Sequence, residues 1–164
     1  MIGTQIRKPI DYKKYAEAAD WANENNARIV DCGDYYEVQA VPPKTVEELK
    51  ITKLSEINVK YDAAASSLVA TYPQTELLTF DKQESEARAW LADSSVQTPL
   101  IDALAAGRGM DKAELVSRII TKADAFAVAT GYLTGQRQKY EDELDAAATA
   151  EEVEAIVPDY KLPQ

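Results

Sequence analysis

Histidine is absent from the 164-residue chain, and cysteine occurs once, as Cys32. Without histidine there is no Ser-His-Asp or Cys-His nucleophilic site, no histidine-containing zinc site and no histidine pH switch. One thiol cannot close an intrachain disulfide, and a single thiolate excludes cysteine-rich zinc and iron–sulfur sites within one chain. Glycine is scarce, at six residues, and Gly107-Arg108-Gly109 lacks the length and the Lys-Ser/Thr of a P-loop. No apolar run approaches the roughly 18 residues of a membrane span. The opening Met1-Ile2-Gly3-Thr4-Gln5-Ile6-Arg7-Lys8 has no apolar stretch of the kind that drives secretion, so no signal peptide is expected.

What is present is an ordinary core-forming share of apolar residues, 46%, with a net charge of -10. The apolar share is enough to fold. The charge repels a phosphate backbone and counts against nucleic-acid binding. It is unevenly spread: residues 1–43 hold 5 basic and 7 acidic side chains, residues 44–164 hold 13 and 21. The simple reading is a well-solvated helical surface. The sharper alternative is an acidic face that meets a basic partner.

The pattern divides near Pro42-Pro43. In residues 1–43, Asp11 is placed to cap a helix running to about Asn25, with Tyr15, Ala18, Ala19 and Ala22 on one face and Trp21 at its edge. Ala27–Asp31 and Tyr35–Val41 favour strand, and Cys32-Gly33-Asp34 between them signals a turn. The expectation is a small α+β module of one helix and a β-hairpin. A lone hairpin is marginal in water, so it must pack on that helix, on the rest of the chain or on another chain.

Residues 44–164 read as an acidic helical domain. Thr45/Glu48, Asp81/Glu84, Asp111/Glu114 and Thr149/Glu152 have capping-box spacing, and Thr98-Pro99 fits an N-cap followed by proline. These starts predict helices over about 45–72, 81–93, 98–106, 111–148 and 149–157. The first carries a seam of Leu54, Ile57, Tyr61, Ala64, Leu68 and Tyr72. The fourth carries Val116, Ile119, Ala123, Phe126, Thr130, Leu133, Arg137, Tyr140, Leu144 and Ala147. Steps of three and four residues call for facing surfaces. The expected fold is mainly α: a helical bundle or hairpin with a long C-terminal helix. Its two long helices pair antiparallel, or pair across a homo-oligomer. The long helix either runs through Gly131 and Gly135 or breaks there, and Gly107-Arg108-Gly109 is expected to break the chain.

Candidate chemistry is sparse. Glu141, Asp142, Glu143 and Asp145 crowd one stretch, but neighbouring helical residues point in different directions, so a solvated surface is favoured over a metal site. Glu84 and Glu86 stand at i and i+2, which do not face each other on a helix. Gly131 and Gly135 are spaced for a close helix crossing or a joint. No catalytic residue, cofactor or metal is expected. The best candidate partner-binding residues are the aromatics concentrated near the N-terminus: Tyr12, Tyr15, Trp21, Tyr35 and Tyr36. The competing reading is that they form the small module's core.

Gln83-x-x-Glu86-Ala87, Thr98-Pro99-Leu100, the stretch Ile101–Gly109, Glu114-Leu115, Ile119-Ile120 and Gly131 to Gly135-Gln136-Arg137-Gln138 together resemble a domain family of phages and prophages. Its members are often encoded near tail and tail-fibre genes, and the resemblance covers roughly residues 50–157. It implies a helical domain and a non-enzymatic role in tail or tail-fibre assembly, as component or chaperone. The implied partners are tail or tail-fibre proteins, met in the host bacterial cytoplasm during assembly and then in the virion if the protein stays there. The alternative of a different class is an acidic inhibitor or DNA mimic directed at a host nucleic-acid enzyme, which requires carboxylates along one continuous face.

Overall fold

The computed structural model describes residues 1–163. The chain forms two compact units, Met1–Thr45 and Val46–Gln164.

The first unit is β1 (Gln5–Arg7), α1 (Tyr12–Glu24), β2 (Ala27–Asp31) and β3 (Tyr35–Ala40). Asp11 caps α1 by accepting from the Lys14 N–H at 3.2 Å. The hairpin turns at Gly33, whose φ of +89° suits glycine. Asp31 accepts the Gly33 N–H at 2.9 Å and meets Lys8 Nζ at the same distance. The hairpin gains a third strand that the sequence did not announce. β1 pairs antiparallel with β3 through Ile6↔Tyr36, giving the order β1-β3-β2. Three residues with one apolar side chain carry no readable alternation. Ile6, Ala18 and Val38 are buried between the sheet and α1, with Tyr15, Trp21, Ala27, Ile29 and Tyr36 around them.

The second unit is mainly helical: α2 (Val46–Ser67), α3 (Gln74–Leu77), α4 (Phe80–Ala92), α5 (Pro99–Arg108), α6 (Lys112–Ala146) and α7 (Ala150–Ala155). α6 has 35 residues and a length of about 52 Å. It runs unbroken through Gly131 and Gly135. Among the described residues nothing lies within 4 Å of a Cβ built at either glycine, so neither a joint nor a close crossing explains them.

α2 and α6 lie antiparallel. Lys50 Nζ donates to the Asp145 carbonyl (3.0 Å), Arg137 Nε to Asn58 Oδ1 (3.0 Å), and the Tyr61 and Thr134 hydroxyls meet at 3.0 Å. Two apolar cores form at opposite ends of α6. Leu115 and Val116 pack with Ala87, Ile101 and Ala105 of α4 and α5. Leu144 and Ala147 pack with Ile57 of α2 and with Val153 and Ile156 at α7.

Several boundaries differ from the sequence reading. α2 stops at Ser67 rather than Tyr72. Ser67 Oγ donates to the Ala64 carbonyl (2.6 Å), and Leu68, Val69 and Tyr72 N–H groups bond three residues back, tightening the chain into turns. α4 starts at Phe80, so Asp81 lies inside the first turn and is not its cap. Gly107 lies within α5; the chain turns at Gly109, whose left-handed φ of +59° ends the helix. Asp111 caps α6 by accepting from Ala113 and Glu114 N–H, while Glu114 turns outward to Arg118. The full reciprocal capping box forms at Thr149 and Glu152.

Candidate functional site

The early end of α2 decides where apolar surface stays open. In the α2–α6 register, Asn58 faces Arg137 and Tyr61 faces Thr134. Continued, that register would set residues just beyond Ser67 against Phe126. Because α2 ends there, the α6 seam loses its partner helix. Thr121, Lys122 and Asp124 through Val128 are exposed, with Ala123 half-buried. Phe126, a seam residue, is 45% exposed.

The result is a groove of about 750 Å³ beside the middle of α6. Its apolar wall includes Leu68 and Val69 from the turn after α2, Tyr72, Phe80 at the start of α4, and Ile119 and Phe126 of α6. The Tyr72 and Phe80 rings meet edge-on, 5.1 Å between centroids. Lys122 Nζ lies over the Tyr72 ring and donates to its hydroxyl at 3.3 Å. Arg108, Arg118 and Lys122 share the lining with Glu76, Asp81 and Glu84. The groove thus has an apolar floor with charges of both signs along it. Among the described residues, no group of three histidine, cysteine, aspartate or glutamate side chains is placed to hold a metal ion. No helix among them is long and apolar enough to cross a membrane.

The five N-terminal aromatics are divided. Tyr15 and Tyr36 meet edge-on at 5.2 Å, Lys8 Nζ lies 4.6 Å from the Tyr36 ring centre, and with Trp21 these rings pack against the unit's core. Tyr35 is half-buried on the opposite face of the sheet, next to Arg7 in register. Tyr12 is 81% exposed. The structure therefore brings Tyr15, Trp21 and Tyr36 together as packing, and leaves Tyr12 as the one largely bare ring of the five.

The motif residues also have structural places. Glu86 is 4% exposed, and its Oε2 accepts from the backbone N–H groups of Leu100 (3.0 Å) and Ile101 (3.1 Å) at the start of α5. Thr98 is fully buried at the N-cap position, but its hydroxyl makes no cap bond. A carboxylate from α4 thus does the capping that Thr98 was expected to do. Glu86 Oε1 has an ion-pair distance of 3.3 Å to Lys82 Nζ, without hydrogen-bond geometry. Glu86 therefore joins α4 to the Thr98-Pro99-Leu100 start of α5, while Gln83 Nε2 donates to Thr79 Oγ1 (2.8 Å) ahead of α4.

At the other end, Gln136 grips the C-terminal segment. Its Nε2 donates to the Lys161 carbonyl (2.8 Å) and its Oε1 accepts the Lys161 N–H (3.0 Å). Tyr160 sits edge-on to both Tyr61 and Tyr140 and donates to the Ile57 carbonyl at 3.0 Å. Partial burial pushes the Tyr160 hydroxyl above its ordinary pKa of 10.0.

A family model described as the HI1402 helical domain matches residues 121–158. That span covers the open middle of α6, its C-terminal end and α7. No curated protein and no solved structure matches the chain.

The acidic residues are interleaved with cations. Glu56 lies between Lys53 and Lys60, Glu84 and Asp124 share Arg88, Arg137 pairs with Glu141 and Lys139 with Glu143. The lysines, Lys60 first and Lys53 next, hold Glu56 below its ordinary 4.5. N–H groups of Ala148 and Thr149 do the same for Glu152. The sequence missed Leu68, Val69 and Phe80 as site residues. The usable signal was a long seam whose partner helix ended in small and serine residues, Ala63-Ala64-Ala65-Ser66-Ser67.

Proposed function

We propose that this protein works by noncovalent binding of another protein in the assembly of a phage or prophage tail or tail fibre, as component or chaperone. The observation that carries the binding part is the uncovered seam of α6: Phe126 and its neighbours form an apolar groove between two closed cores. A partner segment with apolar side chains at helical spacing would complete the seam that α2 leaves unfinished. The biological setting rests on the resemblance of residues 50–157 to the phage and prophage domain.

The test is co-purification with the tail or tail-fibre protein encoded beside it, comparing the native chain with Phe126→Glu and with a chain lacking residues 1–43. Capture by the native chain and by the shortened one, lost in Phe126→Glu, supports the groove. Capture that survives Phe126→Glu but fails without residues 1–43 moves the binding surface to Tyr12, Tyr35 and their unit. No capture of any tail or fibre protein removes the assembly role.

A further inference from the structure

The small sheet has a free edge along β2. The Cys32 N–H donates to the Tyr35 carbonyl (2.8 Å) and the Val41 N–H to the Asn26 carbonyl (3.2 Å). Even-numbered residues of the β2 strand therefore bond to β3. Ala27, Ile29 and Asp31 direct their N–H and C=O groups away from the sheet. Such an edge is a template for another strand, and β2 carries no proline to blunt it. On the inner face Ile6 and Val38 are buried, while Ala27 and Ile29 of β2, the strand α1 runs against, are only half-buried.

We propose that β2 pairs antiparallel with β2 of a second copy about a two-fold axis at Ile29, joining two three-stranded sheets into one of six strands. The register follows from the side chains. Centred on Ile29, the pairing sets Ile29 against Ile29, Ala27 against Asp31 and Arg28 against Val30, so no like charges face each other. Small Ala27 leaves space for Asp31, which stays paired with Lys8.

On the outer face, Arg28 of one copy lies opposite Val30 of the other, whose next neighbour is Glu37. The arginine stem covers the half-exposed valine and its guanidinium reaches the Glu37 carboxylate. Glu37 accepts from Gln39 (2.8 Å) and Gln5 (3.5 Å). Among the described residues neither Glu37 nor Arg28 is in an ion pair of its own chain. The interface is self-complementary, as a two-fold contact must be.

The test uses the full chain and light scattering over a range of concentrations. A monomer–dimer equilibrium is expected. Arg28→Glu sets two carboxylates together and is expected to weaken it at least tenfold; Arg28→Glu with Glu37→Arg restores it. Arg28 is exposed and Glu37 bonds to the side chains of Gln5 and Gln39 alone among the described residues, so circular dichroism is measured on each variant and is expected to stay native.

Register is read separately in a Cys32→Ser background. Arg28→Cys and Val30→Cys chains become a non-hydrogen-bonded pair with Cα atoms about 4.5 Å apart. On oxidation the mixture forms disulfide-linked dimers, and neither chain does so alone. A monomer at every concentration overturns the proposal. So does a dimer indifferent to Arg28→Glu, which would lie elsewhere, or crosslinking by either single variant alone.

Discussion

The two ends of α6 are closed by different chemistry. At the N-terminal end, Leu115 and Val116 sit among aliphatic side chains of α4 and α5, and one buried carboxylate, Glu86, ties those two helices together. At the C-terminal end the aliphatic core of Ile57, Leu144 and Val153 is overlaid by tyrosines and a glutamine that hold the chain's last described segment by its backbone. The first device depends on one side chain, the second on many small contacts. Removal of a single group should therefore be felt more at the Glu86 end.

The largest effects should come from the cores themselves. Leu115→Ala and Ile57→Ala each delete a side chain with essentially no exposure, for an expected loss of about 2 to 5 kcal/mol by denaturant unfolding. If either costs under about 1 kcal/mol, that end is not a true core. Glu86→Ala comes next. It leaves two N–H groups at the start of α5, one buried and one half-buried, without an acceptor, an expected loss of about 3 kcal/mol; Glu86→Gln, which keeps an oxygen there, should cost less. Gln136→Ala at the opposite end should cost about 1 kcal/mol, because water can replace bonds that are exposed. Equal losses for Glu86→Ala and Gln136→Ala would erase the contrast.

The smallest effect is on the alkaline side. Tyr160 has a raised pKa in the folded chain. Its contribution is therefore complete below the ordinary value of 10.0 and is lost as pH rises through the raised one. Unfolding titrations should show that loss in the native chain and not in Tyr160→Phe.

Much of this was legible in the sequence. The mainly helical second unit and the hairpin followed from periodicity, caps at Asp11, Asp111 and Thr149, and the Gly33 turn; the seams called for facing helices but left open whether α2 and α6 pair within the chain or across two chains. Most seam positions are buried or half-buried as expected, from Val116 to Ala147. The misses have local causes. β1 is too short to alternate. α2 ends before Pro73, where the Ser67 hydroxyl bonds back to the Ala64 carbonyl and the following N–H groups bond three residues back. Glu86 could not be read as a cap for α5 because it comes from another helix, fourteen residues before its first donor. The groove was hidden for the same reason as the end of α2. A seam residue such as Phe126 looks buried in sequence until its partner helix falls short. Of the five N-terminal aromatics, three went to packing, since a unit of 45 residues has few other side chains large enough to fill its core.

α6 is packed into a core at each end, and between them Thr121–Val128 is mostly exposed, touched by Arg88 at Asp124 and by Tyr72 at Lys122. Amide hydrogen exchange along α6 in the free protein tests this arrangement most directly. Slow exchange is expected around Leu115–Ile120 and Leu133–Leu144 and faster exchange across Thr121–Val128, where helical hydrogen bonds have little packed against them. Uniformly slow exchange from Leu115 to Leu144 would contradict it, since the middle of the helix would then be covered after all.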